Sequence, residues 1–386
     1  MNGPPPAGKS AACERAGETR IMSSYADARA ILVSSAACVP ADSPPPLRAG
    51  GGPADSVVAR GIHLRGLWMW GCRSDRRGIL RKAGAAALAP GSVEPLLPYL
   101  AGRAENLLGT SGQAGGIDFV AGFARPLVRD ALMELLGIAP AARAALDAQV
   151  GAMAGFIPGS AGGGTTRYFA LAAAAKALEA IWASPLPPLA SASRVLCGAV
   201  ESGELSQDEA LAQATLLLFG NSYTTLDALA GLMARLAERP GLWQAARSGA
   251  IAVGGLVEES LRLGPPTHLV LLRDADREIE CPGGIVPAGA RIVLPLDRIN
   301  RDPACFPSAD EFEPERSGSP HLAFGAGRHM CVGLHLTRAV IRTAIEALLL
   351  RLPEWPPDTR VRMAPGILGG SSVAGLVVPA GALHPC

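Results

Sequence analysis

The hydrophobic pattern of this chain predicts many helices in series. Five segments are rich in Ala and Leu and broken by Gly or Pro, near residues 76–87, 93–108, 117–136, 139–155 and 166–183. Such segments are typical of successive medium-length helices. A longer helix should begin at Ser206, which forms a predicted capping box with Glu209, and should end at Pro240. Its apolar residues return to neighbouring faces, so we expect it to be buried in the middle of the fold.

A smaller part of the chain has the pattern of strands. Between Leu269 and Val293, short β-rich runs alternate with Pro-Gly-Gly and Pro-Ala-Gly turns. Near the amino terminus, RIMSSYADARAILVSS predicts a strand, a turn and a helix, and the Pro- and Gly-rich stretch at 40–55 predicts a loop. Helical periodicity returns after Gly333 and ends before Pro353. The fold should therefore be mainly α with a minor β part.

Composition narrows the class of protein. Of 386 residues, 49% are hydrophobic and 18% charged, which favours a well-buried globular body over a disordered chain. The net charge of +1, without a basic block, gives no indication of nucleic-acid binding. The eight cysteines are scattered without CxxC pairs, as in a reducing cytosol. We expect a soluble cytoplasmic protein without a membrane segment, with a flexible tail at 1–18 and a single domain at 19–386.

The most informative stretch is FGAGRHMCVG at 324–333, immediately before the last predicted helix. Gly325 and Gly327 allow a tight loop, and Cys331 lies where backbone N–H groups and the helix dipole favour a thiolate. Gly333 leaves space for a flat, bulky group against the start of the helix. The segment is thus suited to hold a negatively charged sulfur.

Two other interpretations of this cysteine are open on the residues alone. Free cysteines are often buried for structural reasons. A zinc site could also use Cys331 with His321, His329 and His335, but structural zinc usually takes two or more closely spaced thiolates, which this stretch lacks.

The full string resembles the cysteine-loop signature of bacterial cytochromes P450, FGxGxHxCxG, and matches it at every fixed position. The resemblance implies that Cys331 binds the iron of haem b, with Phe324, Gly325, His329 and Gly333 around the cofactor. A thiolate ligand of this kind favours O–O bond cleavage. The likeness extends from about residue 19 to the carboxyl terminus and is most specific over 251–350.

Two further segments resemble family motifs built on charge. VEESLRLGPP resembles the ExxR helix and puts Glu259 and Arg262 at i and i+3, where they can pair. FEPER resembles the FxPxR segment, which implies that Arg316 completes a three-residue network with them.

Other segments imply contacts with the haem propionates. Arg273 matches a strand arginine with this role, and His329 matches the loop histidine. RGILRKAGAAALAP resembles the HxxxR helix, with Arg81 as the arginine and Arg77 where histidine is usual. Apart from these contacts, INRDP at 299–303 resembles the family's ANRDP segment. The planar fork of arginine suits such carboxylates.

The long helix departs from the family pattern [AG]Gx[DE]T. The chain reads Gly220-Asn221-Ser222-Tyr223-Thr224, so that a tyrosine stands at the acid position. The Thr224 hydroxyl can bond the carbonyl of Gly220 and open a notch for dioxygen or water. We expect proton delivery to rest on Thr224 with ordered water, helped by Asn221, Ser222 or a polar group of the substrate.

The resemblance implies the triangular, mostly helical cytochrome P450 fold with small β-sheets. It also implies a monooxygenase that oxidises a small, mostly apolar molecule, in bacterial specialised metabolism. Dioxygen and electrons from a separate ferredoxin or flavodoxin with its reductase would take part. The alternatives are oxidative coupling, cyclisation or peroxide-dependent oxidation, and a haem-binding partner protein without catalysis. We expect the substrate pocket to be lined by the 56–72 loop, the 155–166 region, the helix around 216–224, and 266–270.

Overall fold

The fold is built mostly from helices. The computed structural model describes residues 18–40, 52–72, 75–111, 116–157, 164–266, 271–318, 320–365, 371–379 and 382–383. Within these ranges the helices are α1 (Tyr25–Val33), α2 (Pro53–Gly66), α3 (Arg77–Ala87), α4 (Pro90–Val93), α5 (Leu97–Ser111), α6 (Arg125–Leu135), α7 (Pro140–Met153), α8 (Thr166–Trp182), α9 (Ser191–Glu201), α10 (Gln207–Ala237), α11 (Pro240–Arg247), α12 (Val253–Leu263), α13 (Leu296–Ile299) and α14 (Leu334–Arg351).

The strands form three small sheets. They are β1 (Thr19–Ile21), β2 (Ala37–Cys38), β3 (Gly116–Asp118), β4 (Leu271–Ala275), β5 (Ile279–Cys281), β6 (Gly284–Val286), β7 (Arg291–Leu294), β8 (Arg360–Pro365) and β9 (Ser371–Pro379). The sheet orders are β1-β7-β4-β2, β3-β9-β8 and β5-β6. In the first sheet β4 pairs antiparallel with β7, with Arg273 opposite Ile292. The mainly helical prediction is confirmed.

The long helix α10 is the centre of the helical body. Ser206 and Glu209 form the predicted capping box at its start, which satisfies backbone N–H groups at the first turn. Helices α6, α8, α9, α12 and α14 all pack against it. Because it is covered on nearly every side, any break in that covering marks a place where a ligand can reach the helix.

Two predictions about the elements were incomplete or wrong. The expected 56–72 loop is largely helix α2, since Pro53 begins a helix whose Val58 and Leu64 are buried. Gly61 obscured this helix in the sequence, but it is needed because a Cβ there would lie 2.1 Å from the backbone oxygen of Tyr168 in α8. The β8–β9 pair near the carboxyl terminus was not predicted.

Several expectations concern residues outside the described ranges. The proposed tail falls there except for residue 18, as do most of the 40–55 loop, residues 158–163 of the expected pocket region, and residues 267–270. The single-domain prediction stays a prediction. Among the helices that the structure describes, none has the length and apolar character needed to cross a membrane.

The close crossing of α2 and α8 gives a testable prediction. Replacing Gly61 with Ala should lower the free energy of unfolding by about 1–3 kcal/mol, because the added methyl group overpacks the contact with Tyr168. Gly66→Ala is the matched control, since a Cβ at this position of the same helix meets no atom within 4 Å. Denaturant unfolding of both variants measures the difference, and equal stabilities would contradict the assigned crossing.

Candidate functional site

The 324–333 loop is held closed by its own backbone and by α1. The Cys331 N–H donates to the Phe324 carbonyl at 2.8 Å. Gly325 and Gly327 have φ values of 68° and 65°, the left-handed region that favours glycine. A Cβ on Gly327 would also lie 2.6 Å from the Leu32 carbonyl oxygen in α1. Both the backbone conformation and the close approach therefore require glycine at position 327.

The Cys331 thiol lies just before the start of α14. The residue is exposed in part, although protein groups surround the thiol. Burial raises the pKa of the thiol, whereas the N–H groups of Gly333 and Leu334 and the charges of Arg81 and Arg338 oppose that rise. The site thus supplies positive potential where an anionic sulfur would lie.

Basic side chains from three elements gather beside this loop. They are Arg77 and Arg81 of α3, Arg273 of β4, and Arg328 and His329 of the loop itself. The Arg77 guanidinium donates to His329 Nδ1 at 2.8 Å and to the Arg328 carbonyl at 2.9 Å. Arg81 donates to the Met330 carbonyl at 2.6 Å. The loop and α3 are therefore tied together by arginines.

The electrostatics of this arginine cluster favour binding of an anion. Burial and the charges of Arg328 and Arg77 lower the pKa of Arg273 to about 10. Burial, together with Arg273 and the other arginines, lowers the pKa of His329 to about 3, so the imidazole is neutral and accepts from Arg77. The buried Nε atoms of Arg77, Arg273 and Arg328 have no hydrogen-bond partner in the described structure, and none of the four arginines forms an ion pair with a described carboxylate. Such an arrangement favours a buried ligand with carboxylate groups.

Helix α10 is uncovered along one stripe. Between Glu209 and Ala230 every residue is buried except Gly220, Ser222, Tyr223, Thr224 and Asp227. Gly220, Thr224 and Asp227 follow each other at intervals of four and three residues, which is one helix face. The Thr224 hydroxyl donates to the Gly220 carbonyl at 2.8 Å, as predicted, and a Cβ on Gly220 would meet no atom within 4 Å. The notch that the sequence predicted is thus present.

A hydroxyl contact joins α10 to the helix that follows the cysteine loop. The hydroxyls of Thr225 and Thr337 lie 2.9 Å apart, and the Thr337 N–H donates to the Gly333 carbonyl at 2.9 Å. Thr337 is on the first turn of α14. Helix α10 therefore packs against the first turn of the helix that follows the cysteine loop.

The other polar residues of α10 are engaged elsewhere. Asn221 is buried, and its Oδ1 accepts from Thr225 at 2.9 Å. The Ser222 hydroxyl donates to the Leu218 carbonyl at 2.7 Å. The Tyr223 hydroxyl is directed at α7, 3.4 Å from the Val150 carbonyl oxygen. The expected help of Asn221 or Ser222 in proton delivery is therefore not supported by the geometry.

The structure brings Glu259, Arg262 and Arg316 into one buried network. Arg262 forms a two-pronged contact with the Glu259 carboxylate at 2.7 and 2.8 Å, and Arg316 Nε lies 3.1 Å from Glu259 Oε1. Arg262 also donates to the carbonyls of Asn300 and Ala309. The network thus fastens α12 to the irregular chain that leads into the cysteine loop.

A second clamp, which the sequence reasoning missed, holds the loop from α12 and α14. Arg338 forms a two-pronged pair with Glu258 at 2.6 and 2.7 Å, and its guanidinium lies 4.6 Å from the Phe324 ring centroid. His321 Nε2 lies 3.3 Å from the same carboxylate. Burial tends to raise the pKa of Glu258, but Arg338 and His321 outweigh it and hold the pKa at about 2. Arg328 was missed as well, and a usable signal was its place beside His329 inside the motif.

An aromatic cluster adjoins the uncovered stripe. Phe219 stacks on Trp68 and Trp70 with ring centroids 5.3 and 6.4 Å apart, and Phe156 meets Trp68 edge-on at 5.2 Å. Arg65 lies over both indoles at 4.9 and 5.2 Å. The residue that precedes Gly220 is thus part of a buried aromatic cluster.

Comparisons with known proteins agree with this geometry. The family model for cytochrome P450 matches residues 253–365. The biotin biosynthesis cytochrome P450 of Bacillus subtilis is 27% identical over 277 residues, which are 71% of this chain and 70% of that protein. Cyclomarin C epoxidase CymV of Salinispora arenicola is 28% identical over 283 residues, 72% of this chain and 71% of that protein. The structure of P450BioI with an acyl carrier protein that bears hexadec-9Z-enoic acid matches with a TM-score of 0.78 at 23% identity, covering 93% of this chain and 92% of that one.

The chain belongs to the cytochrome P450 family and is of the bacterial type. Its members are haem-containing oxidoreductases, and haem is the cofactor of this chain. The residues present fit that group. Buried guanidinium Nε atoms without hydrogen-bond partners would suit the propionates, and a cysteine before a helix would suit the iron. The open side of Gly220 would suit a small ligand.

The charge network of α12 provides the second prediction. Glu259→Gln should lower the free energy of unfolding by about 3–5 kcal/mol, since it leaves two buried guanidinium groups without their carboxylate. Glu258→Gln is the matched control on the same helix, where the carboxylate is 43% exposed and a smaller loss is expected. Denaturant unfolding of the holoproteins gives the ranking, and a larger loss in Glu258→Gln would contradict the anchoring role assigned to Glu259.

Proposed function

We propose that this protein is a haem-thiolate monooxygenase in which Cys331 is the iron ligand. The observation that carries the proposal is the joint arrangement of Cys331, the arginine cluster and the open stripe of α10. A structural cysteine would need neither unpaired buried guanidinium groups nor an exposed glycine in a buried helix. Zinc is disfavoured because the Nδ1 of His329 accepts from Arg77 and His321 pairs with Glu258.

The arginine cluster would hold the haem by its propionates. Arg77, Arg273 and Arg328 offer buried N–H groups, and Arg81 adds charge beside Cys331. On the other side, the N–H groups of Gly333 and Leu334 favour the thiolate over the thiol. When bound, the haem supplies an iron centre that accepts electrons and activates dioxygen, and thiolate ligation favours O–O cleavage.

The uncovered stripe would be the oxygen side of the site. The Thr224–Gly220 bond turns a hydroxyl and a carbonyl toward the open side of the helix, where they can hold water or dioxygen. In the overall reaction one oxygen atom of O₂ enters the substrate and the other becomes water, with two electrons and two protons consumed. The electrons would come from a separate ferredoxin or flavodoxin with its reductase.

The substrate would be a small and mostly apolar organic molecule. The aromatic cluster of Trp68, Trp70, Phe156 and Phe219 next to Gly220 supports this choice, because it makes the surroundings of the uncovered stripe apolar. A role in bacterial specialised metabolism is supported by the relation to an enzyme named for cyclomarin C epoxidation. Coupling chemistry that depends on Tyr223 is less favoured, since its hydroxyl is directed at α7. A non-catalytic role leaves the Thr224 notch unexplained.

The ligand assignment gives the third prediction. The reduced carbon monoxide complex should show the strongly red-shifted Soret band of thiolate ligation, and Cys331→Ala should abolish it. Cys197→Ala is the control, because Cys197 is a free, partly buried thiol on α9 away from the loop. An unshifted band in folded wild-type protein, or its persistence in Cys331→Ala, would contradict the proposal. Turnover with a surrogate redox chain then distinguishes the enzyme from a non-catalytic haem protein.

A further inference from the structure

The uncovered stripe of α10 contains one carboxylate, Asp227, one turn beyond Thr224. Positions 224 and 227 are i and i+3 on the helix, so their Cβ atoms are neighbours about 5–6 Å apart. Gly220 lies two turns before Asp227 on the same face. No other acidic residue occurs between Glu209 and Ala230. Asp227 is therefore the acid that the helix presents on its open side.

The surroundings of Asp227 leave its carboxyl free to exchange a proton. The Ser372 hydroxyl of β9 donates to Oδ2 at 3.2 Å, and no ion pair to Asp227 occurs in the part of the chain that the structure describes. Burial raises the pKa of Asp227 to about 6, with the Ser372 hydroxyl and the Arg125 charge opposing the rise. An acid in this range can both give and regain a proton near neutral pH.

A polar cavity lies beside α10, next to Tyr223. Its volume is about 100 Å³, and it is lined by Arg125, Arg129, Asp147, Val150, Gly151, Ser222 and Tyr223. The space is polar and large enough for ordered water. Arg125 of α6 both lines this cavity and acts electrostatically on Asp227, so the two are close.

Two other partly exposed polar residues of α10, Tyr223 and Ser222, are poor proton donors. Burial raises the pKa of Tyr223 further above its usual range, with Asp147 adding to the rise and Arg125 opposing it. Ser222 is bonded to the carbonyl of Leu218. A tyrosine at the usual acid position therefore leaves the task to another residue of α10.

We propose that Asp227 supplies solvent protons to Thr224 through the polar cavity, in place of the acid that Tyr223 replaces. This rests on the proposed monooxygenase function. A proton leaves the Asp227 carboxyl, passes through water to the Thr224 hydroxyl and on to the reacting oxygen, and the carboxylate regains a proton from solvent. Each turnover repeats this twice, matching the two protons consumed with two electrons from the redox partner. Asp227 acts through Thr224 and is thus a positioning residue for proton delivery.

The test compares Asp227→Asn with Asp227→Glu in the holoenzyme. Asp227→Asn should lower product formed per electron about tenfold or more, within the range of general acid catalysis, and release the lost electrons as hydrogen peroxide. Asp227→Glu, which keeps the carboxyl, should restore most of the coupling. Glu238→Gln is the control, because it removes an acid from the exposed end of the same helix. Unchanged coupling in Asp227→Asn would overturn the proposal.

A titration separates this proposal from the proposed function, because it needs no turnover. Infrared difference spectra of the resting holoenzyme should show a carboxyl band that titrates near pH 6 and is missing in Asp227→Asn. The groups that act on this carboxyl are Arg125 of α6 and Ser372 of β9. In wild type, peroxide release should rise as the pH passes upward through this midpoint, and in Asp227→Asn that dependence should be lost. Absence of the band between pH 5 and 7, or the same pH profile in both proteins, would refute the role of Asp227 even where the substrate is oxidised.

Discussion

Repulsion among the arginines around the cysteine loop is the constraint on which the site depends. Arg273 is buried, its pKa is lowered, and Arg77 and Arg328 lie close enough to contribute to that lowering. Cations in such surroundings are stable only with an anion or with a fold that holds them in place. The fold provides the second condition through the Glu259 network and the Glu258–Arg338 clamp, and the haem propionates would provide the first.

This constraint also explains why the supporting residues are so far apart in sequence. The cysteine loop is irregular chain, and loops of this kind are held by what packs on them. Gly327 accepts the close approach of α1, Arg77 and Arg81 bind the loop from α3, and Arg338 stacks on Phe324 from α14. The oxygen side is positioned separately, by the capped and buried helix α10. Ligand binding and proton delivery can therefore change independently, which is consistent with a complete cysteine motif beside an altered acid position.

Local sequence patterns predicted the features that depend on residues close together in the chain. The capping box of α10 and the Thr224–Gly220 bond are confirmed because each depends on residues within one or two turns. Helix α2 was mistaken for a loop, since the need for Gly61 comes from Tyr168, more than 100 positions away. The roles of Glu258, Arg328 and Asp227 were missed for a related reason. Their partners lie on other elements, and an isolated charge in the sequence is most often a solvated one.

The central claim is that the arginine cluster binds the two haem propionates. Measuring haem affinity tests this claim most directly. Apoprotein can be titrated with native haem and with haem whose propionates are methyl esters, following the Soret band. Because each charge-assisted hydrogen bond contributes about 1.5–3 kcal/mol, loss of both carboxylates should weaken binding at least about a hundredfold. Arg273→Met should remove part of that difference, since Arg273 is the most enclosed of the cluster. Equal affinity for native haem and its dimethyl ester would contradict the account.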